Sequence, residues 1–203
     1  MTESTCAIVL AAGHGSRFQA VAGQGRSKLL ARCVGRDGID RPVLAHTLVN
    51  LQGVVDRVLV VTRPNASEII ALTHQYGCGL VLLESPGMGN SIAAAVAAEP
   101  HHRAWLIVLG DMPFILPETL QQLVAAQSDE LIIVPFHKGE RGQPVGFGRG
   151  YGSSLMTLTG DQGAKRLFQH GTVQSVEVAD PGVLWDVDVP ERLVFGFSGA
   201  IPL

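Results

Sequence analysis

Five charged side chains stand where the chain turns from apolar to small or polar residues, and their types suit phosphate and metal chemistry. Arg17 and Lys28 come after an apolar run, Ile8-Val9-Leu10, that gives way to Ala11-Ala12-Gly13 and then Gly15-Ser16. Asp111 follows the most apolar run of the chain, Trp105 to Leu109, within Gly110-Asp111-Met112-Pro113. Asp186 and Asp188 alternate in Trp185-Asp186-Val187-Asp188-Val189-Pro190-Glu191. Glycines and small residues let a backbone approach a ligand closely and turn its N–H groups toward anionic oxygens. Two cations then add full positive charge. A carboxylate at a strand end is well sited to hold a metal, and when buried it is costly unless a cation faces it; a cap or turn role is the local alternative for Asp111. No Ser, Cys or His is convincingly paired with a base. The chemistry this set supports is electrostatic stabilisation of a charged centre rather than covalent attack by a side chain.

Two familiar glycine loops are excluded. A P-loop needs G-x-x-x-x-G-K-[ST], and no glycine here precedes a lysine that is followed by Ser or Thr. A dinucleotide fingerprint needs G-x-G-x-x-G, and Gly13-His14-Gly15-Ser16-Arg17-Phe18 lacks the third glycine.

Positioning such residues requires strands that end together. Residues 58–62 form an apolar, β-branched run of strand length, 105–109 the most apolar run of the chain, and 80–83, 131–134 and 173–178 read as further strands. Helical signals lie between them. Pro42 suits a first turn, with Val43, Leu44, Thr47, Leu48 and Leu51 on one face and His46 half-buried. Asn65 caps a helix with Glu68 three residues on and Gly77 as its stop. Two more helices are expected over 92–98 and 117–126, and Asp161 is a plausible cap for a helix running to His170. Residues 32–41 read as a turn between two short extended pieces. Alternation of unbroken apolar strands with helices predicts parallel βαβ units covered on both faces, and on an extended segment Asp186 and Asp188 share one face.

The run Leu10-Ala11-Ala12-Gly13-x-Gly15-Ser16-Arg17 followed by Lys28-Leu29-Leu30 resembles the signature of nucleotidyltransferases, in particular the molybdenum cofactor cytidylyltransferases. Gly110-Asp111-Met112-Pro113 matches a second family motif, and Gly87-Met88-Gly89-Asn90-Ser91 resembles its G-M-x-x-S segment. Further along, Gly142-Gln143-Pro144-Val145-Gly146-Phe147 is similar to G-x-P-V-x-F, and 158–164 to L-x-G-D-x-G-A. The resemblance extends from Ile8 to about Leu193. It implies one domain over 1–203 with a mostly parallel central sheet flanked by helices, of the nucleotide-diphosphosugar-transferase type, Rossmann-like and GT-A-like. It also implies Mg²⁺-dependent transfer of CMP from CTP to a phosphorylated small-molecule acceptor of molybdopterin type, with release of pyrophosphate. On that resemblance Leu10, Ala11, Ala12, Gly13, Gly15, Ser16, Arg17, Lys28, Gly87 and Ser91 bind the nucleotide. Arg17, Lys28 and Asp111 are catalytic, and Asp111 and Asp188 hold the metal; Asp186 is the alternative ligand, or caps a turn. The segments 141–147 and 158–164 flank the acceptor side, although local structure accounts for Asp161 and Gly163 equally well. L-A-A-G accompanies cytidylyl transfer in the family, L-A-G-G guanylyl transfer.

Three departures stand out. Lys28 lies eleven positions beyond Arg17 (28 − 17), the extra residues 19–27 lengthening the loop over the triphosphate, while Val189 and Arg192 replace the Thr and second acid of D-x-D-T-P-E-D. Readings that keep the same motifs are a sugar phosphate or another small phosphorylated acceptor, a metal-dependent glycosyltransferase, and a non-catalytic carrier that delivers the cofactor to a molybdenum enzyme or its maturation factor. Composition narrows the partners. The 203 residues are 46% hydrophobic and 16% charged with a net charge of −3, enough for a sizeable core and unlike a nucleic-acid binder. Cys6, Cys33 and Cys78 are scattered, without a C-x-x-C pair, which suits a reducing cytoplasm. No stretch resembles a signal peptide or membrane span.

Overall fold

The computed structural model describes residues 4–84 and 87–196; Ser85 and Pro86 of the predicted glycine-rich loop, the first three residues and 197–203 lie outside them. At the centre runs β1 (Thr5–Leu10), flanked in parallel by β4 (Arg57–Thr62) and β6 (Ala104–Leu109), with β5 (Gly79–Leu82) beyond β4. The order across the sheet is β10-β7-β9-β6-β1-β4-β5, where β7 is Leu131–His137, β9 Val145–Gly148 and β10 Thr172–Glu177. Strand β10 is parallel to β7, whereas β9 runs antiparallel between β6 and β7, and β8 (Glu140–Arg141) folds back on β7. The predicted extended pieces around 32–41 form a separate antiparallel hairpin, β2 (Arg32–Val34) with β3 (Asp40–Pro42).

The apolar runs of β1, β4 and β6 are unbroken because both faces of the sheet are covered there, whereas the edge strand β10 is polar at several positions and mostly exposed. Ala7 and Val9 of β1 point into one layer with Leu44, Leu48 and Leu51 of α2 (Val43–Leu51), Ile69 of α3 (Ser67–Gln75) and Leu120 of α5 (Pro117–Ala125). Cys6 and Ile8 point the other way, against Ile92, Ala95 and Val96 of α4 (Met88–Ala98) and Leu155 of α6 (Gly152–Met156). Each buried Val, Leu or Ile contributes about 1.5–3 kcal/mol relative to exposure. Among the described residues no helix is long and apolar enough to cross a membrane.

Local expectations fare unevenly. Helix α3 stops as its composition predicts: Gly77 is at φ +65°, and Gly77 N–H and Cys78 N–H donate to the carbonyls of His74 and Thr73, closing a Schellman turn. Its start differs, since the cap position is Ala66 and not Asn65. Pro42 precedes α2 instead of opening it. His46 is buried, not half-buried, with 2% of its surface exposed and Nε2 paired to the Cys33 carbonyl. Asp161 caps nothing: residues Lys165–Gln169 form a short 3₁₀ turn whose cap position is Ala164. Helix α4 begins at Met88 and not at 92, so the glycine-rich segment is largely its first turn.

Candidate functional site

Strand register decides which loops meet. Leu10 pairs with Val61 on one side and Leu109 on the other, so β1, β4 and β6 end level and the turns after Leu10 and Leu109 lie side by side. Ala11 fixes the first turn: its N–H donates to Val61 O at 2.9 Å and its carbonyl accepts from Thr62 Oγ1 at 3.2 Å. Gly15 then takes the left-handed conformation, φ +62°, ψ +36°, and caps α1 (Ser16–Ala22); such a turn suits glycine because an L side chain clashes there. The second turn is held by α2, where Thr47 Oγ1 donates to Gly110 O at 3.2 Å and Asn50 Nδ2 to the carbonyls of Pro113 and Ile115.

Lys28 is placed by its neighbour. Leu29 is buried in the core and its carbonyl accepts from Leu44 N–H, which leaves the Lys28 side chain facing the strand ends. The C-terminal segment arrives the same way: Val187 is fully buried and its N–H donates to Asp111 O at 2.8 Å, turning Asp186 and Asp188 to the cleft.

Leu10, Ala11, Ala12, Gly13, Gly15, Lys28, Gly87, Ser91, Asp111 and Asp188 thus line one cleft of about 430 Å³. Ser16 and Arg17 do not. Ser16 opens α1, and Arg17, its side chain 80% exposed, sits at the outer edge and donates to Asp188 Oδ2 at 2.8 Å. The extra residues 19–27 are not a cover over the cleft either: they complete α1, anchored by buried Phe18, and turn through Gly23 and Gly25 beside Pro190 and Leu193. Five wall residues, His14, Leu29, Met88, Leu109 and Asp161, were not among the predicted site residues. Met88 and Leu109 were findable because they adjoin predicted site residues. Asp161 arrives through a close crossing in which Gly89 N–H donates to Gly160 O at 2.8 Å and Gly160 N–H to Asn90 Oδ1 at 2.9 Å. A side chain on Gly87 would stand 2.4 Å from the Gly160 carbonyl carbon, so this contact requires glycine.

At the floor, Lys28 Nζ lies 2.5 Å from Asp111 Oδ2 and 2.7 Å from Asp188 Oδ1. Burial pushes the Asp111 carboxyl above its ordinary value, and Lys28 only partly opposes that. Asp188 goes the other way, held down by its bond to Lys28 and by Arg17 despite some burial. For Lys28, burial is the largest single influence and pulls down, yet the two carboxylates together leave it above its usual value. Asp111 Oδ1 is buried with no hydrogen-bond partner among the described residues, an acceptor left for a cation. Among the described residues no cluster of three or more His, Cys, Asp or Glu is placed to hold a metal. Two carboxylates completed by phosphate oxygens and water are the donor set Mg²⁺ commonly accepts, so Asp111 and Asp188 fit such an ion. Asp186 is drawn aside, 3.4 Å from Arg192.

Beside this cleft lies a second cavity of about 490 Å³ that shares Met88 and Leu109 with it. Its walls are mainly apolar, from Ile92, Ile107, Val145, Phe147 and Phe168, with Gln143, Gln162, Arg141 and Lys165 among the polar groups. The Arg141 guanidinium stacks on the Phe168 ring at 3.7 Å.

Known proteins share this fold. A protein of Mycobacterium tuberculosis H37Rv, Rv0371c, superposes with a TM-score of 0.77 at 26% identity over 95% of this chain and 96% of its own. The same protein has been crystallised in complex with manganese; that structure superposes with a TM-score of 0.69 at 25% identity over 86% of this chain and 88% of its own. The bifunctional protein GlmU of Halorhodospira halophila is 30% identical over 155 residues, which are 73% of this chain and 29% of that protein, so the chain spans less than a third of this curated relative. The model of the MobA-like NTP transferase domain matches residues 7–177, and the chain belongs to that family of nucleotidyltransferases.

Proposed function

We propose that the protein transfers CMP from CTP to a phosphorylated acceptor of molybdopterin type and releases pyrophosphate, with Mg²⁺ held by Asp111 and Asp188. The observation that carries this reading is the convergence of the Leu10-Ala11-Ala12-Gly13 turn, Lys28, Asp111 and Asp188 on one cleft at the strand ends. Ligands of open α/β sheets bind at that edge. The cleft is also acidic, lined by Asp111, Asp161, Asp186 and Asp188 with Lys28 as its lysine. A metal–nucleotide complex, which carries less negative charge than a bare triphosphate, suits such a cleft better.

An ionised acceptor phosphate is already a nucleophile at neutral pH, which agrees with a site built without an activated Ser, Cys or His. Attack at the α-phosphate forms one P–O bond while the bond to pyrophosphate breaks. Charge gathers on the leaving group, where Lys28, Arg17 and the N–H groups of the 12–16 turn stabilise it. The bound metal supplies Lewis-acid stabilisation of the phosphate oxygens. Arg17 is free to serve because its present ion pair with Asp188 has a highly exposed partner; such pairs are worth about 0–1 kcal/mol and are readily exchanged for a phosphate.

The second cavity supports a flat conjugated acceptor. A ring system covers Ile107, Val145, Phe147 and Phe168, and Arg141 and Lys165 meet its phosphate; a sugar phosphate leaves that apolar wall without a partner. The test is incubation with labelled CTP, Mg²⁺ and either molybdopterin or a sugar 1-phosphate while pyrophosphate is measured. Release that needs molybdopterin is expected. Release only with the sugar phosphate overturns the acceptor, and binding of molybdopterin without release from any NTP makes the protein a carrier.

A further inference from the structure

Lys28 Nζ lies within 2.7 Å of one oxygen from each of Asp111 and Asp188, so its ammonium stands between the two carboxylates that would hold a divalent cation. The other oxygen of Asp188 is taken by Arg17. Of the four oxygens in the pair, Asp111 Oδ1 alone has no partner among the described residues, and it is buried. A bare metal ion therefore meets two carboxylates that are already neutralised. It has to expel an ammonium whose side chain is only 16% exposed. The Lys28 stem lies against the glycine turn, its Cγ 3.5 Å from where a Gly15 Cβ would stand. Rotation about that stem can carry the ammonium away from the carboxylates along the glycine turn, against which Lys28 Cγ, Cδ and Cε lie.

We propose that Lys28 is a displaceable occupant of the cation point, so that the protein binds metal poorly by itself and takes it together with the nucleotide. This rests on the reading of Asp111 and Asp188 as metal ligands. A triphosphate gives the expelled ammonium a new anionic partner, whereas a bare ion offers none and adds repulsion. Metal and nucleotide are thereby coupled positively, and Lys28 and bare metal negatively, each reciprocally. Resting neutralisation also keeps Asp111 from being a buried charge without a partner.

The experiment measures Mn²⁺ binding to the full chain by electron paramagnetic resonance, without nucleotide, for the wild type, Lys28→Met and Arg17→Met. Removing Lys28 should tighten Mn²⁺ roughly 5- to 150-fold, the usual span of a coupling between two sites. Arg17→Met should do less, because Arg17 touches Asp188 and not Asp111. No tightening in Lys28→Met, or an equal gain in Arg17→Met, overturns the proposal. Should Lys28→Met fail to fold, the wild type decides. The chain has three lysines, Lys28, Lys138 and Lys165, and the ¹⁵Nζ resonance of Lys28 should be protected without metal and lose that protection at saturating Mg²⁺ alone. Protection that persists overturns it. Neither readout contains CTP, so failure here leaves nucleotidyl transfer to its own assay.

Discussion

Asp111→Asn separates catalysis from folding because the two should respond in opposite directions. Asparagine keeps the volume and one carbonyl oxygen, and the backbone bonds that fix this turn, from Val187 N–H to Asp111 O and from Thr47 to Gly110 O, do not involve the side chain. What disappears is the charge. One carboxylate oxygen becomes an amide nitrogen that cannot hold a cation, and at about 1.5–3 kcal/mol for a charge-assisted contact its loss amounts to about one to two powers of ten in rate. Stability moves the other way. Burial raises the Asp111 carboxyl above its ordinary value, so the folded protein favours the neutral form more than the unfolded chain does. That preference stabilises the wild type below the unfolded value of about 3.9 and is lost as pH rises through the raised folded value. At pH 7 the metal-free variant should therefore melt above the wild type, and the gap should close as pH falls through the carboxylate range. The assays are pyrophosphate release at saturating Mg²⁺ and calorimetric Tm from pH 4 to 7. Near-normal kcat would refute the metal role, and a lower Tm at pH 7 would mean that the Lys28 ion pair outweighs burial.

Arg17→Ala should lower kcat by about 2–4 kcal/mol where charge develops and leave Tm unchanged, since 80% of that side chain is exposed; a rise in KM alone would make it a uniform binder. Gly87→Ala, whose methyl would meet the Gly160 carbonyl carbon at 2.4 Å, should cost about 1–3 kcal/mol of stability by urea unfolding, and an unchanged midpoint would show that the crossing yields. Ala12→Gly should narrow a wild-type preference for CTP over GTP, a contact worth about 10- to 200-fold in kcat/KM. Wild-type preference for GTP would overturn the cytidylyl reading, and an unchanged ratio in the variant would move base selection to the segment from Gly87 to Ser91.

The legible parts of this molecule are those where one local demand settles the answer. Residues 105–109 read as strand because Trp105, Leu106, Ile107 and Val108 face both layers and all are buried. Lys28 was legible through its company, Leu29 being the core residue that fixes it. The antiparallel insertion of β9 was not, because Val-Gly-Phe-Gly carries too little β-branched pattern. Gly148 is required by tertiary crowding, a side chain there standing 1.9 Å from the Ser128 carbonyl oxygen. Helix α1 was missed for a related reason: Ser16–Ala22 has no side-chain cap among the described residues and buries Phe18 alone, so tertiary packing makes it. Asp161 misled because a cap signal is local, whereas its actual position follows from the crossing of Gly160 with Gly89 and Asn90.

The two C-terminal aspartates show where local legibility stops. Their alternation around Val187 predicts one shared face, and the structure bears that out, both lining the cleft with Val187 buried between. Alternation cannot choose between them. Their partners differ: Arg192 donates from Nε to the Asp186 carbonyl at 2.6 Å, lies 3.4 Å from its carboxylate and stacks on Trp185 at 4.4 Å. Asp186 is thereby occupied six residues along the chain, while Asp188 receives Lys28 and Arg17 from 160 and 171 residues away. Arg192 stands where the resembled pattern has a second acid. Arg192 therefore gives Asp186 a local partner at the cleft wall, whereas Asp188 is tied to the two cations of the N-terminal segment.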